Sequence, residues 1–113
     1  MRILVVEDDL EQLAIRRQIL EHAGYEVAAA RNAPEAIAQL DGASVVVMDL
    51  RIPAVEDGMG LIRAVSGSAR IIALSGADPE VALPVDEFLQ KPCSSKRLLE
   101  AIAKWTAPGG QAD

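Results

Sequence analysis

Five short apolar runs, each parted from the next by a longer segment of different character, limit what this chain can fold into. Ile3 to Val6 is the first expected strand. Asp9 is placed to cap a helix that runs to Gly24, where a glycine is a common stop. Val27 to Ala30 is a weak second strand, because its three alanines have little β preference. Pro34 opens a short helix over 35–40 that Asp41-Gly42 ends. Ser44 to Met48 is the third strand, and Gly60 to Val65 lies in a third helix. Ile71 to Leu74 and Phe88 to Gln90 are the fourth and fifth strands. A last helix starts near Ser94 or Ser95 and carries Leu98, Leu99, Ile102 and Trp105 at helical spacing. Strands that are apolar throughout and alternate with helices imply a parallel sheet covered on both faces, a doubly wound α/β fold. Residues 1–106 are expected to form this one domain and 107–113 a flexible tail.

Composition narrows the functions. The chain has 113 residues, half of them hydrophobic but with one Phe, one Tyr and one Trp, so its core is built from Ala, Val, Leu and Ile. That length buries a core without disulfides or a structural metal. A formal net charge of −6 argues against nucleic-acid binding, which needs clustered Lys and Arg. Cys93 has no partner for a disulfide or a metal site, which suits a reducing cytoplasm. The N-terminal MRILVVEDD meets acids too soon to be a signal peptide or a membrane-inserting span.

In open parallel sheets, ligands sit beyond the carboxyl ends of the strands, near the point where strand order reverses. Just past the strands stand Glu7, Asp8 and Asp9, then Asp49, then Ser75, then Lys91. If the first and third strands are neighbours, Asp8 and Asp49 face each other, and like charges that close need a shared cation. An all-oxygen cluster suits Mg²⁺. Ser75 and Lys91 suggest that further negative charge arrives, and a phosphoryl group fits, with Asp49 as its nucleophilic acceptor. Each piece has a plainer explanation: helix capping for the acids, turn chemistry for Asp49 and Ser75-Gly76. All four strand ends together make the plainer one inadequate.

The ordered set "ILVVEDD", "VVVMDLRIP", "IIALSG" and "FLQKP" resembles the receiver domain of two-component response regulators over nearly the whole chain. The resemblance implies a flavodoxin-like sheet in the order 2-1-3-4-5. It implies a phosphoprotein of a cytoplasmic phosphorelay rather than an ordinary enzyme, one that assists its own phosphorylation and dephosphorylation. Asp49 would take a phosphoryl group from a histidine kinase or a histidine phosphotransfer protein. Asp8 and Asp49 would hold Mg²⁺ directly, Glu7 through a water, and the Arg51 backbone carbonyl would be a further ligand. Ser75 would bond the phosphoryl oxygen, Lys91 would pair with Asp49, and Phe88 would change rotamer with Ser75. The Lys91-Pro92 bond is typically cis in the family.

Two departures stand out. "AVED" between Pro53 and Gly58 resembles the usual loop with one residue added. Twelve residues separate Ser75 from Phe88, and Asp78-Pro79 and Pro84 shorten the family's fourth helix, part of its usual output and dimerisation face. The chain is therefore expected to be a monomer rather than the standard dimer. In the first helix Leu10, Leu13, Ala14 and Leu20 cluster on one side, while Ile15 and Ile19 on the other offer a docking stripe for the phosphohistidine partner. His22 complements the end of that helix. Other readings are the receiver segment of a longer hybrid kinase or regulator, a pseudo-receiver scaffold that is not phosphorylated, and an Mg²⁺-dependent aspartyl phosphatase. The last is disfavoured because Asp49-Leu50-Arg51 lacks a second acid.

Overall fold

The computed structural model describes residues 2–52, 55–76 and 84–106. In chain order the elements are β1 (Arg2–Val6), α1 (Leu10–His22), β2 (Glu26–Ala30), α2 (Ala33–Ala38), β3 (Val45–Asp49), α3 (Val55–Val65), β4 (Arg70–Ser75), β5 (Glu87–Gln90) and α4 (Ser95–Thr106). The five strands form one parallel sheet in the order β2-β1-β3-β4-β5, as the resemblance implies. The short helix expected within 76–87 falls largely on residues outside those described, and the tail falls wholly outside them.

Capping chemistry explains the helix ends. Asp9 Oδ1 accepts from the backbone N–H groups of Glu11 and Gln12, at 3.0 and 3.2 Å, and so starts α1. α1 ends at His22, and Gly24 turns the chain away with φ +99°, a conformation that favours glycine. Asn32 caps α2, accepting from Glu35 N at 2.9 Å, with Pro34 in the first turn. α3 begins five residues earlier than Gly60, the first residue expected in it, with Glu56 and Asp57 in its first turn, where negative charge suits the helix dipole.

Alternation along the strands sorts the core into two layers. Leu4, Val6, Val46 and Met48 pack with Leu61, Ile62 and Val65 of α3 and with Ala36 of α2. Ile3, Val5, Val45 and Val47 pack with Leu13 and Leu20 of α1 and with Leu98, Ala101 and Ile102 of α4. The four apolar residues of β3, Val45 to Met48, are fully buried, so they read as a continuous apolar run.

One expectation for α1 is corrected. Leu10 is 60% exposed and Ala14 is exposed; the buried face is Leu13, Arg16 and Leu20. The positions 13, 16 and 20 follow helical spacing, whereas Leu10 is the first residue of the helix. Among the described residues no helix is long and apolar enough to cross a membrane.

Candidate functional site

Strand order reverses between β1 and β3, which pair in register with Val6 opposite Met48. One step further, Glu7 meets Asp49. By the same alternation that sends Val45 and Val47 toward α1 and α4, Asp49 points to that side. Asp49 also lies opposite Leu74, and Ser75 lies opposite Gln90, so the carboxyl ends of these strands reach the same edge. Lys91 is drawn in by its backbone N–H, which donates to Ser75 O at 2.7 Å, and it precedes a cis bond to Pro92.

The structure brings the expected residues together. Glu7, Asp8, Asp49, Arg51, Ser75 and Lys91 line one cleft. Glu7 and Asp49 are each only 3% exposed, Ser75 is half-buried, and Asp8 and Arg51 stand exposed. Lys91 Nζ lies 2.5 Å from Asp49 Oδ1. Phe88, opposite Ala73 on β5, is half-buried. Ile15, 43% exposed, and Ile19, half-buried, line a separate groove with Pro92, Cys93 and Leu98.

Sequence reading missed Arg16. Its Nη1 donates to Asp49 Oδ2 at 3.0 Å and lies 3.0 Å from Glu7 Oε1, with the side chain 9% exposed. Helix side chains lean toward the N-terminus, so an arginine in the second turn reaches up to the strand ends. The signal was present: position 16 completes the spacing of Leu13 and Leu20, and a buried arginine beside an acidic cluster finds its partner there.

These contacts set the charge of the two acids. Burial, with the Asp49 carboxylate beside it, pushes the Glu7 pKa up to about 8, although its Oε2 accepts from Asp9 N at 3.1 Å. Burial acts in the same direction on Asp49, but hydrogen bonds from Glu7 and Lys91 and the charge of Arg16 outweigh it and hold Asp49 below its ordinary value. The surroundings thus push the two acids apart, Glu7 upward and Asp49 downward, which favours the anionic form of Asp49.

The donor set was tested against a divalent cation. Among the described residues no group of three or more His, Cys, Asp or Glu is arranged to hold a metal. Mg²⁺, however, is commonly held by one or two carboxylates with several waters kept, and it prefers oxygen. Glu7 Oε1 is buried without a hydrogen-bond partner. An orphaned carboxylate oxygen beside Asp49, with Asp8 and Arg51 lining the same cleft, fits such an ion.

A doubly wound sheet of this order, with carboxylates, a hydroxyl and a lysine gathered at its switch point, is the arrangement of a two-component signalling receiver. The chain belongs to the response regulator receiver domain family, whose model matches residues 3–103. It is similar to the sensory transduction protein RegX3 of Mycobacterium tuberculosis, 29% identical over 121 residues covering 98% of this chain and 53% of RegX3. It is also similar to the transcriptional regulatory protein FlgR of Helicobacter pylori, 30% identical over 110 residues covering 90% of this chain and 29% of FlgR. The chain thus spans about half or less of the length of these curated relatives. A CheY-like receiver domain protein from Methanospirillum hungatei JF-1 superposes with a TM-score of 0.80 at 29% identity, covering 91% of this chain and 90% of that one.

Proposed function

We propose that the chain accepts a phosphoryl group on Asp49 from the phosphohistidine of a histidine kinase or histidine phosphotransfer protein, and signals through protein–protein contact. The observation that carries this is the state of Asp49: buried, anionic, and held by Lys91 at the strand switch point. An anionic Asp49 needs no general base. One carboxylate oxygen attacks phosphorus, the P–N bond breaks, and its electron pair returns to the donor's imidazole, which takes up a proton. Lys91 then turns from the carboxylate to the phosphoryl oxygens, and Ser75 donates its hydroxyl to one of them. Phe88 follows Ser75 into the space it leaves, so that phosphorylation shifts the population of two conformations.

Asp8 and Asp49, the Arg51 carbonyl and, through water, Glu7 would hold Mg²⁺. When bound, that ion supplies positive charge against the equatorial phosphoryl oxygens. The compartment this reading assigns is the cytoplasm, which the free thiol of Cys93, its pKa raised by burial, suits.

The test is intact mass after incubation with acetyl phosphate, with and without Mg²⁺, for the native chain and for Asp49→Asn. Gain of one phosphoryl mass by the native chain alone, and only with Mg²⁺, is the expected result. A gain by Asp49→Asn would move the acceptor elsewhere. Failure of the native chain to gain mass both from acetyl phosphate and from a phosphohistidine donor would favour a scaffold.

A further inference from the structure

The buried face of α1 needs only apolar residues to pack on the sheet, and Leu13 and Leu20 supply them. Between them Arg16 places a full positive charge. Taking a guanidinium out of water is costly unless fixed carboxylates meet it. Here two do: Nη1 is 3.0 Å from both Asp49 Oδ2 and Glu7 Oε1. Only the first contact has hydrogen-bond geometry, and Glu7 Oε1 is left without a hydrogen-bond partner. Two cations hold Asp49, one at each carboxylate oxygen: Lys91, with its side chain 37% exposed, at Oδ1, and the buried Arg16 at Oδ2.

We propose that Arg16 is a resident counter-ion and positioning residue of the phosphorylation site. It neutralises the acidic cluster in the resting protein and yields Asp49 Oδ2 to an arriving Mg²⁺ by shifting its hydrogen bond to Glu7 Oε1. The inference rests on the reading of this cleft as an Mg²⁺-assisted phosphoacceptor site. The shift is short, because the second acceptor is already within reach of the same nitrogen. Its consequence is that the site stays ordered without a divalent ion and binds Mg²⁺ weakly, since the ion meets a fixed positive charge.

The test is titration of MgCl₂ into the ¹⁵N-labelled chain at constant ionic strength, with affinity read from amide shifts at the cleft. Native protein is compared with Arg16→Met, Arg16→Lys and Asp8→Asn. Removing the charge should tighten Mg²⁺ binding by about tenfold or more in Arg16→Met. Arg16→Lys should stay nearer native, and Asp8→Asn should weaken binding. Equal or weaker binding in Arg16→Met, with Asp8→Asn still weaker than native, overturns the role of Arg16 and leaves the metal site standing. No response to Mg²⁺ in any chain overturns both. If Arg16→Met does not fold, the native guanidinium decides: its Arg16 Nε–H signal should move on adding Mg²⁺, whereas that of Arg17, paired with Glu21 at the surface, should not. An Arg16 signal that stays in place defeats the proposal.

Discussion

At Gly58 the absence of a side chain decides whether α3 can sit beside the turn that follows Asp49. A Cβ there would lie 1.8 Å from Leu50 O and 2.7 Å from Leu50 C, and backbone cannot move aside as a flexible side chain can. Gly58→Ala should therefore cost about 3 kcal/mol or prevent folding, seen as a lower urea midpoint. At Gly60 the nearest atom is Arg63 Nη2 at 3.9 Å, so Gly60→Ala should be neutral or slightly stabilising. Equal effects at the two positions would refute the argument. Glu87 carries a second prediction. Burial would raise its pKa, but Arg97 and Trp105, each donating at 2.8 Å, and the nearby charge of Lys104 hold it below the usual 4.5. A lowered folded pKa contributes stability that is present above 4.5 and is lost as pH falls through the folded value. Glu87→Gln keeps an acceptor for Trp105 but loses the charge, so its stability should fall less steeply on acidification. Parallel acid titrations of the unfolding midpoint for the two proteins would show otherwise.

The elements themselves were largely legible, because apolar runs, Asp9 and Pro34 all act locally. The strand ends were legible too: Asp49, Ser75 and Lys91 stand where their strands stop, and a parallel sheet brings such ends together. Strand order came from the family resemblance, since no local signal says that β1 lies between β2 and β3. α1 shows where local reading fails. Its Leu10 groups with the apolar side by residue type yet is 60% exposed, and its Arg16, which residue type alone does not single out, is buried against Glu7 and Asp49. On its outer side, Ile15 and Ile19 share a groove with Pro92, Cys93 and Leu98, which joins α1 to the start of α4 beside Lys91. An apolar groove at the lip of an acidic cleft suits a helical phosphohistidine donor, whose imidazole must reach Asp49. Ile15→Ala with Ile19→Ala should slow transfer from such a donor about tenfold, by loss of buried apolar contact, while leaving phosphorylation by acetyl phosphate unchanged. Equal slowing with both donors would place the effect in the fold rather than in docking.

For the whole molecule, the question is which surface remains for output. In receivers the helix before the fifth strand and that strand form the usual output and dimerisation face, and here only twelve residues separate Ser75 from Phe88. Several charges on and beside β5 pair within the chain. Glu87 binds Arg97 and Trp105, and Arg70 pairs with Asp86 at 3.2 Å. Arg70 and Lys104 also stand over the Trp105 ring, at 5.2 and 5.1 Å from its centre. A dimer through this face would compete with these contacts, and a stable interface needs about 800 Å² from each partner. The chain should therefore sediment as a monomer both before and after phosphorylation. If phosphorylation gave a dimer, and Glu87→Gln or Arg97→Ala strengthened it, the contacts would be a latch that phosphorylation opens. A phosphorylated dimer indifferent to both substitutions would mean that output uses another surface, with the groove beside α1 the next to test.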